Sequence, residues 1–391
     1  MSKPLHILMM LHIPWTRNLG GSRVQLEIAD ELQELGHRVT KFDYHDAFPG
    51  KTSSIIREIV RPPFFEKAKI FVQAYGHQFD VIDAHQGNLP YSKSQLNFQG
   101  LLIARSVGLY AFYEDFARRE KQQYSQTSLK VKLYQSLLSM RQQKELKACP
   151  PSLQFCDLIN VPNQDEKRYV EQVLGYSQKC HVFPFGLSKT RQKALSQNAL
   201  AAAQRLQNQT VAFVGTWGVR KGSKDWAKII TKIQQVCPNT RFLFLGTGLS
   251  QKAVLTDMKD VDCRWIEIVP SYESEALPQL LSGVTVGAFP SYIEGFGFAV
   301  LEKLASGIPT VAYDVPGPRE MLNLFNSEMM VKAGDVEAFS QKVIDFLQLN
   351  LVEYSLLAED CFKVSQQFSW AKIARDTLEV YQQYLTLKVR K

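Results

Sequence analysis

Phe289-Pro290-Ser291-Tyr292-Ile293-Glu294-Gly295-Phe296-Gly297-Phe298-Ala299-Val300-Leu301-Glu302-Lys303-Leu304-Ala305-Ser306-Gly307 gathers more constrained features into one run than any other part of the chain. Val284 to Phe289 ahead of it reads as a buried strand, and Phe298 to Ala305 places apolar residues at helical spacing until Gly307 stops them. The order is therefore strand, glycine turn, helix. Gly295 and Gly297 let the backbone approach a ligand, and the helix opening presents N–H groups that favour phosphate. Glu294 lies in the turn and Glu302 in the helix, four positions after Phe298 and on the face of the helix opening. A carboxylate is poorly placed against a phosphate. These two are expected instead to accept hydrogen bonds from hydroxyls at either end of a diphosphate, the pattern of a nucleotide sugar.

Extended through Gly307-Ile308-Pro309, the run reads P-S-x-x-E-G-F-G-x-x-x-L-E-x-x-A-x-G-x-P. It resembles the donor-site signature of the family 4 retaining glycosyltransferases. That resemblance implies the GT-B fold: α/β, two doubly wound Rossmann-like domains facing across a cleft. It also implies transfer of a sugar from a nucleotide-diphosphate sugar to a carbohydrate or lipid-linked acceptor, with Glu294 at the donor sugar and Glu302 at the ribose.

The remaining composition is consistent with this. A chain of 391 residues is long for one domain, and 45% hydrophobic content is ordinary for a globular protein. A net charge of +8 suits anionic partners: nucleotide sugars, lipid head groups or nucleic acid. Among these the resemblance selects the nucleotide sugar and gives no role to nucleic acid. Cys149, Cys156, Cys180, Cys237, Cys263 and Cys361 are scattered without a C-x-x-C pair, which predicts reduced thiols and a cytoplasmic protein. Leu5 to Ile13 is apolar but carries two histidines and no small-residue cleavage site, so it reads as a first strand. No apolar run reaches the length of a membrane-spanning helix.

The N-terminal half opens with that strand, a loop from Pro14 to Ser22, and a helix carrying Val24, Ile28, Leu32 and Leu35. Gly20 and Gly21 match, by resemblance, the paired glycines that face the donor from this domain. Asp80 to His85 and Gly100 to Ala104 read as parallel strands. Arg105-Ser106-Val107-Gly108-Leu109-Tyr110 resembles an R-S-H-G-L-E segment, with Val107 replacing the histidine and Tyr110 the glutamate. His85 and Arg105 are the polar groups expected on the acceptor side. Between Arg118 and Lys147 eight basic residues face Glu120 and Glu145, with Leu133, Tyr134, Leu137, Leu138 and Met140 at helical spacing. This basic amphipathic helix is read either as a solvated face or as a peripheral contact with an anionic membrane at its inner surface.

Ser188 to Gln209, rich in Gln, Ala, Lys and Asn, reads as the interdomain linker. The expected domains are 1–188 and 189–368, with a terminal helix 369–388 returning to the first. Val211 to Gly215 is a strand, followed by Thr216-Trp217-Gly218-Val219-Arg220-Lys221-Gly222. Adjacent Arg220 and Lys221 before a helix place positive charge for a diphosphate. The loop resembles the family's G-R-x-x-x-x-K-G, with Thr216 in place of the arginine and Arg220 expected to compensate. Cys263 to Val269 is read as a strand, and Val269 to Tyr272 by register lines the nucleoside base. Met330 to Glu337 is expected to start a late helix with Asp335 as N-cap.

The donor set is thus Gly20, Gly21, Thr216, Val269, Tyr272, Gly295, Phe296, Gly297 and Glu302, and the catalytic set Glu294, Lys221 and Arg220. No metal and no cofactor besides the nucleotide sugar are expected. A sugar-nucleotide epimerase or hydrolase of the same architecture, or a non-catalytic binder of nucleotides or anionic surfaces, fits the same residues.

Overall fold

A computed structural model describes residues 3–17, 20–50, 61–123, 143–258, 261–325 and 328–389. They fall into two units, one made of Met1–Phe183 with Ala371–Lys391, the other of Pro184–Trp370. In both units apolar strands alternate with helices, and each forms one six-stranded sheet in which all pairs run parallel.

The first unit contains β1 (His6–Met10), β2 (Arg38–Phe42), β3 (Val81–His85), β4 (Leu101–Arg105), β5 (Leu158–Val161) and β6 (Cys180–Val182) in the order β2-β1-β3-β4-β5-β6. Ile7, Leu8, Met9 and Met10 are all fully buried, as a strand covered by helices on both sheet faces must be. The helix Phe64–Tyr75 sets Phe64, Ala68 and Val72 into one of these layers beside Phe42, Ile82 and Leu102. The chain leaves β1 for β2 on one side and then returns to β3 on the other. The order therefore reverses between β1 and β3, where an open parallel sheet leaves a crevice at the carboxyl ends of its strands.

The second unit repeats the plan with β7 (Thr210–Val214), β8 (Arg241–Leu245), β9 (Ile266–Val269), β10 (Val286–Phe289), β11 (Thr310–Tyr313) and β12 (Met330–Val331) in the order β12-β11-β10-β7-β8-β9. Here the reversal lies between β7 and β10. Trp226, which starts the helix Trp226–Val236, is fully buried against Phe213 and Phe244 from β7 and β8.

Several local expectations need correction. The stretch read as a linker forms two helices, Lys189–Asn198 and Ala202–Asn208. Ser188 caps the first by accepting from Arg191 N, and Leu195 is its fully buried anchor. Gln, Ala and Lys are good helix formers, but a helix held by one leucine and long polar side chains shows no apolar stripe. Gly20 and Gly21 are the first turn of the helix Gly20–Glu34 rather than a loop. Cys263–Trp265 is a 3-10 turn capped by Asp262, so β9 starts at Ile266. Met330 and Val331 pair with β11 as β12, and the following helix begins at Val336 with Asp335 accepting from Ala338 N as its cap. Of the basic region, Tyr110–Gln123 is helical, whereas 124–142, including the apolar stripe Leu133 to Met140, lies outside the described residues. Among the described residues no helix is long and apolar enough to cross a membrane.

Candidate functional site

The quoted run folds as β10, a turn from Pro290 to Gly297, and the helix Phe298–Ala305. Gly297 sits at the helix start with φ of 93°, a conformation that side-chain-bearing residues rarely adopt. The loop after β7 packs onto this turn. At Gly222, with φ of 78°, an added Cβ would lie 2.3 Å from the Pro290 carbonyl oxygen, and Tyr292 N donates to the Arg220 carbonyl at 2.9 Å. The two loops from either side of the reversal are therefore joined backbone to backbone, which fixes where their side chains meet.

They meet at Glu294. Arg220 Nη1 donates to its Oε1 at 2.8 Å and to the Ile293 carbonyl at 3.2 Å, and Lys221 Nζ pairs with the same carboxylate oxygen. Lys221 also lies over the Phe289 ring, 4.9 Å from its centroid. Burial holds the Lys221 ammonium below its ordinary range, against the pull of Glu294 and with the help of Arg220. The arrangement is a compact cluster of two cations and one carboxylate beside a helix N-terminus, and it can share its positive charge with a diphosphate.

Two further residues of the second unit carry charge here, Arg191 and Lys303, and both escaped the sequence reading. Glu302, buried in the helix, takes Arg191 Nε at 3.1 Å and Nη2 at 2.8 Å on Oε1. Arg191 belongs to the stretch read as linker, so its partner was invisible. Lys303 is fully buried and donates to the Ala288 carbonyl at 3.0 Å, its Nζ 5.4 Å from the Phe289 ring. Burial, with Lys221 nearby, pushes its ammonium down to about 7. The signal was present in the sequence as a lysine between Leu301 and Leu304 in an otherwise apolar helix.

The segment expected to line a nucleoside base is built from the neighbouring strand ends. Gly246 N donates to Val269 O at 2.8 Å, Gly248 N to Pro270 O at 2.9 Å and Trp217 N to Thr247 O at 2.8 Å, so the loops after β7, β8 and β9 form one layer. Tyr272 lies against Gly246, where an added Cβ would be 3.1 Å from its ring. Thr216 is exposed and brings no charge. Phe296, expected to touch donor, buries its ring among Phe185, Phe298 and Phe368, which leaves only its backbone to face a ligand. Of the D-x-D triplet Asp260-Val261-Asp262, Asp260 lies outside the described residues, and Asp262 caps the turn Cys263–Trp265 and pairs with Arg264. Among the described residues no group of three His, Cys, Asp or Glu could hold a metal ion.

In the first unit His85 ends β3, and His12, two residues past β1, sets its ring 4.9 Å from that of His85. Both stand at the β1/β3 reversal. Burial takes the His85 imidazole down to about 3, with His12 adding to the shift, so it is neutral there at ordinary pH. Arg105 ends β4 in register with His85, but most of its guanidinium is engaged within the sheet. It is fully buried, grips Asp83 with Nε at 3.0 Å and Nη2 at 2.5 Å, and donates to Tyr381 Oη at 3.2 Å, so it ties the terminal helix to the sheet, while its Nη1 makes no hydrogen bond among the described residues. Gly21 lies beside Ile13 and Val107, each 3.6 Å from where its Cβ would be. The turn carrying Val107 is held by Glu166, another residue not singled out from the sequence, which accepts from Ser106 Oγ at 2.6 Å and is pushed by burial up to about 7. Asn163 three residues before it, as a helix N-cap, was the sequence signal.

Residues 208–349 match the family model for Glycosyl transferases group 1. The processive diacylglycerol alpha-glucosyltransferase of Acholeplasma laidlawii is 26% identical over 246 residues, covering 60% of this chain and 70% of that one. Two solved structures share the fold over almost the whole length. The sucrose-phosphate synthase of Thermosynechococcus elongatus superposes with a TM-score of 0.71 at 18% identity, over 98% of this chain and 100% of that one. Anabaena HepE in complex with UDP and glucose gives 0.65 at 15% identity, over 97% and 100%.

Proposed function

We propose that this chain, a group 1 glycosyltransferase of the GT-B fold, moves a sugar from a nucleoside diphosphate sugar to a carbohydrate or lipid-linked acceptor with retention of anomeric configuration and without a metal. The observation that carries this reading is the meeting of Arg220, Lys221 and Glu294 where the loops after β7 and β10 are joined. In the reaction the bond between the anomeric carbon and the diphosphate oxygen breaks. A bond from the acceptor hydroxyl forms on the same face, and the hydroxyl proton leaves with the diphosphate. Charge therefore grows on the leaving group. Arg220, Lys221 and the opening of the helix Phe298–Ala305 stand where they can meet it, each preorganised donor being worth roughly 2.7–4 kcal/mol of barrier.

Glu294 then serves the donor sugar, accepting from a hydroxyl as its cations turn to the diphosphate, while Glu302 accepts from the ribose. Val269 and Tyr272 line the base. In the first unit the imidazoles of His12 and His85, both held below the ordinary histidine range by burial, serve the acceptor. The scatter of Cys149, Cys156, Cys180, Cys237, Cys263 and Cys361 without a C-x-x-C pair fits a reducing compartment. The basic residues Lys130, Lys132, Arg141 and Lys144, and the likeness to an enzyme named for diacylglycerol, support a peripheral approach to anionic lipid.

The experiment is a panel of UDP-, GDP- and ADP-sugars incubated with and without glycan and lipid acceptors, the product anomer being read by NMR. An acceptor-dependent product with the donor's own anomeric configuration is expected. An inverted product, or sugar epimerised or hydrolysed without an acceptor, would replace this reading.

A further inference from the structure

We propose that Arg191 is a positioning residue for the nucleoside, fixing at once the carboxylate that takes the ribose and the segment that lines the base. The proposal rests on the reading of Glu302 as the ribose acceptor and adds to it a residue that the signature of the quoted run does not contain.

The geometry points this way from three sides. Arg191 Nε and Nη2 both donate to Glu302 Oε1, at 3.1 and 2.8 Å, so the guanidinium edge anchors that oxygen as well as balancing its charge. Its third nitrogen, Nη1, donates to the Ser274 carbonyl at 2.5 Å, two residues after Tyr272 and at the start of the 3-10 turn Ser274–Ala276. One side chain thus spans the helix that holds Glu302 and the loop after β9. The platform behind it is rigid. Ser188 caps the helix Lys189–Asn198, Leu195 buries it, and Gln192 Nε2 donates to the carbonyls of Ser365 and Phe368 at 3.3 Å each.

Merely neutralising a buried carboxylate would need only a cation. The planar, two-pronged grip on Oε1 with a third bond to the base-side loop is a constraint on position, and position matters when the carboxylate must accept from a ribose hydroxyl beside the base. Lysine offers a point charge and no such plane.

The test compares binding of UDP, GDP and ADP with binding of their 2′-deoxy counterparts, by calorimetry, in wild type, Arg191→Ala, Arg191→Lys and Glu302→Gln. Wild type is expected to prefer the ribose form of the nucleotide it binds. Arg191→Ala weakens that form on the order of ten- to a hundredfold while affecting the 2′-deoxy form little, so the preference collapses. Arg191→Lys, which keeps the charge and guards against a variant that fails to fold, gives an intermediate preference. Equal losses for both forms in Arg191→Ala would mean a purely structural arginine and overturn the proposal. So would a preserved preference in Arg191→Ala when Glu302→Gln has lost it, and in that case the ribose role of Glu302 stands. A preference intact in Glu302→Gln removes the ribose reading itself, and this proposal with it.

Discussion

Glu294 accepts both Arg220 and Lys221 on one carboxylate oxygen, so a diphosphate brought to these cations must share them with it. The carboxylate holds the cations in position, and the proposed reaction has it turn to the sugar once a diphosphate takes them. Glu294→Gln keeps the shape and removes the charge. It is expected to lower turnover about a hundredfold while changing nucleotide affinity little, since general-acid-base and electrostatic groups of this kind act on the barrier. Glu302→Ala is expected to do the reverse, weakening nucleotide binding about tenfold or more with a smaller effect on turnover, because it loses hydrogen bonds from a charged acceptor. Steady-state kinetics beside calorimetry decide between them, and wild-type turnover in Glu294→Gln would sink the assignment. At this scale the sequence was informative about identity and silent about partners. Glu294, Glu302, Arg220 and Lys221 stand out from spacing and glycine context, but their pairing depends on contacts across 74, 111 and 73 positions of chain. No local pattern encodes such a separation. Arg105 is a strand-end arginine whose structural partners, Asp83 and Tyr381, were equally invisible in the sequence.

The strand, turn and helix of the quoted run were legible because each has its own signal: a continuous apolar run, glycines, and apolar spacing closed by Gly307. The helices Lys189–Asn198 and Ala202–Asn208 were not, because their hold on the fold comes from Arg191, Gln192 and Arg205 reaching carboxylates and carbonyls, which a search for apolar periodicity passes over. Within the helix Phe298–Ala305 the same blindness hid Lys303. That residue fits because Gly287 on β10 leaves room; a Cβ there would stand 2.7 Å from Lys303 Cδ. Its pH behaviour has a definite sign. Below about 7 its ammonium is charged in the folded and the unfolded chain, and burying that charge costs stability in full. As pH rises from about 7 toward the ordinary lysine value of 10.5, the folded chain sheds the proton first, the unfolded chain binds more protons, and the cost is relieved. Lys303→Met should therefore be more stable than wild type at pH 6, with the advantage shrinking by about 2 kcal/mol between pH 7 and pH 9. Urea unfolding at these pH values measures it, and parallel wild-type and variant curves would show that Lys303 does not titrate as its surroundings imply.

For the whole molecule, the alternation of strand and helix and the restart of that rhythm after Gln209 made two doubly wound units readable, and the topology agrees. The choice of acceptor was not readable, because Val107 and Tyr110 depart from the segment that resemblance would use for it. Charge is the remaining guide at this scale. Each basic side chain near an anionic leaflet is worth about 1 kcal/mol, so co-sedimentation with phosphatidylserine vesicles at low salt is expected and should fall at physiological salt. Reversing Lys130, Lys132, Arg141 and Lys144 should abolish it, and equal sedimentation with neutral vesicles would leave this region a solvated face.

The most direct test of the central claim is release of nucleoside diphosphate from the nucleotide sugar that the donor panel selects, with its acceptor and a chelator present, by wild type and Lys221→Ala. The account predicts full wild-type release despite the chelator and, in Lys221→Ala, a loss on the order of a hundredfold together with a drop in affinity far larger for the nucleoside diphosphate than for the nucleoside. Release that stops with the chelator and returns with a divalent ion, or that proceeds at the wild-type rate in Lys221→Ala, would contradict it.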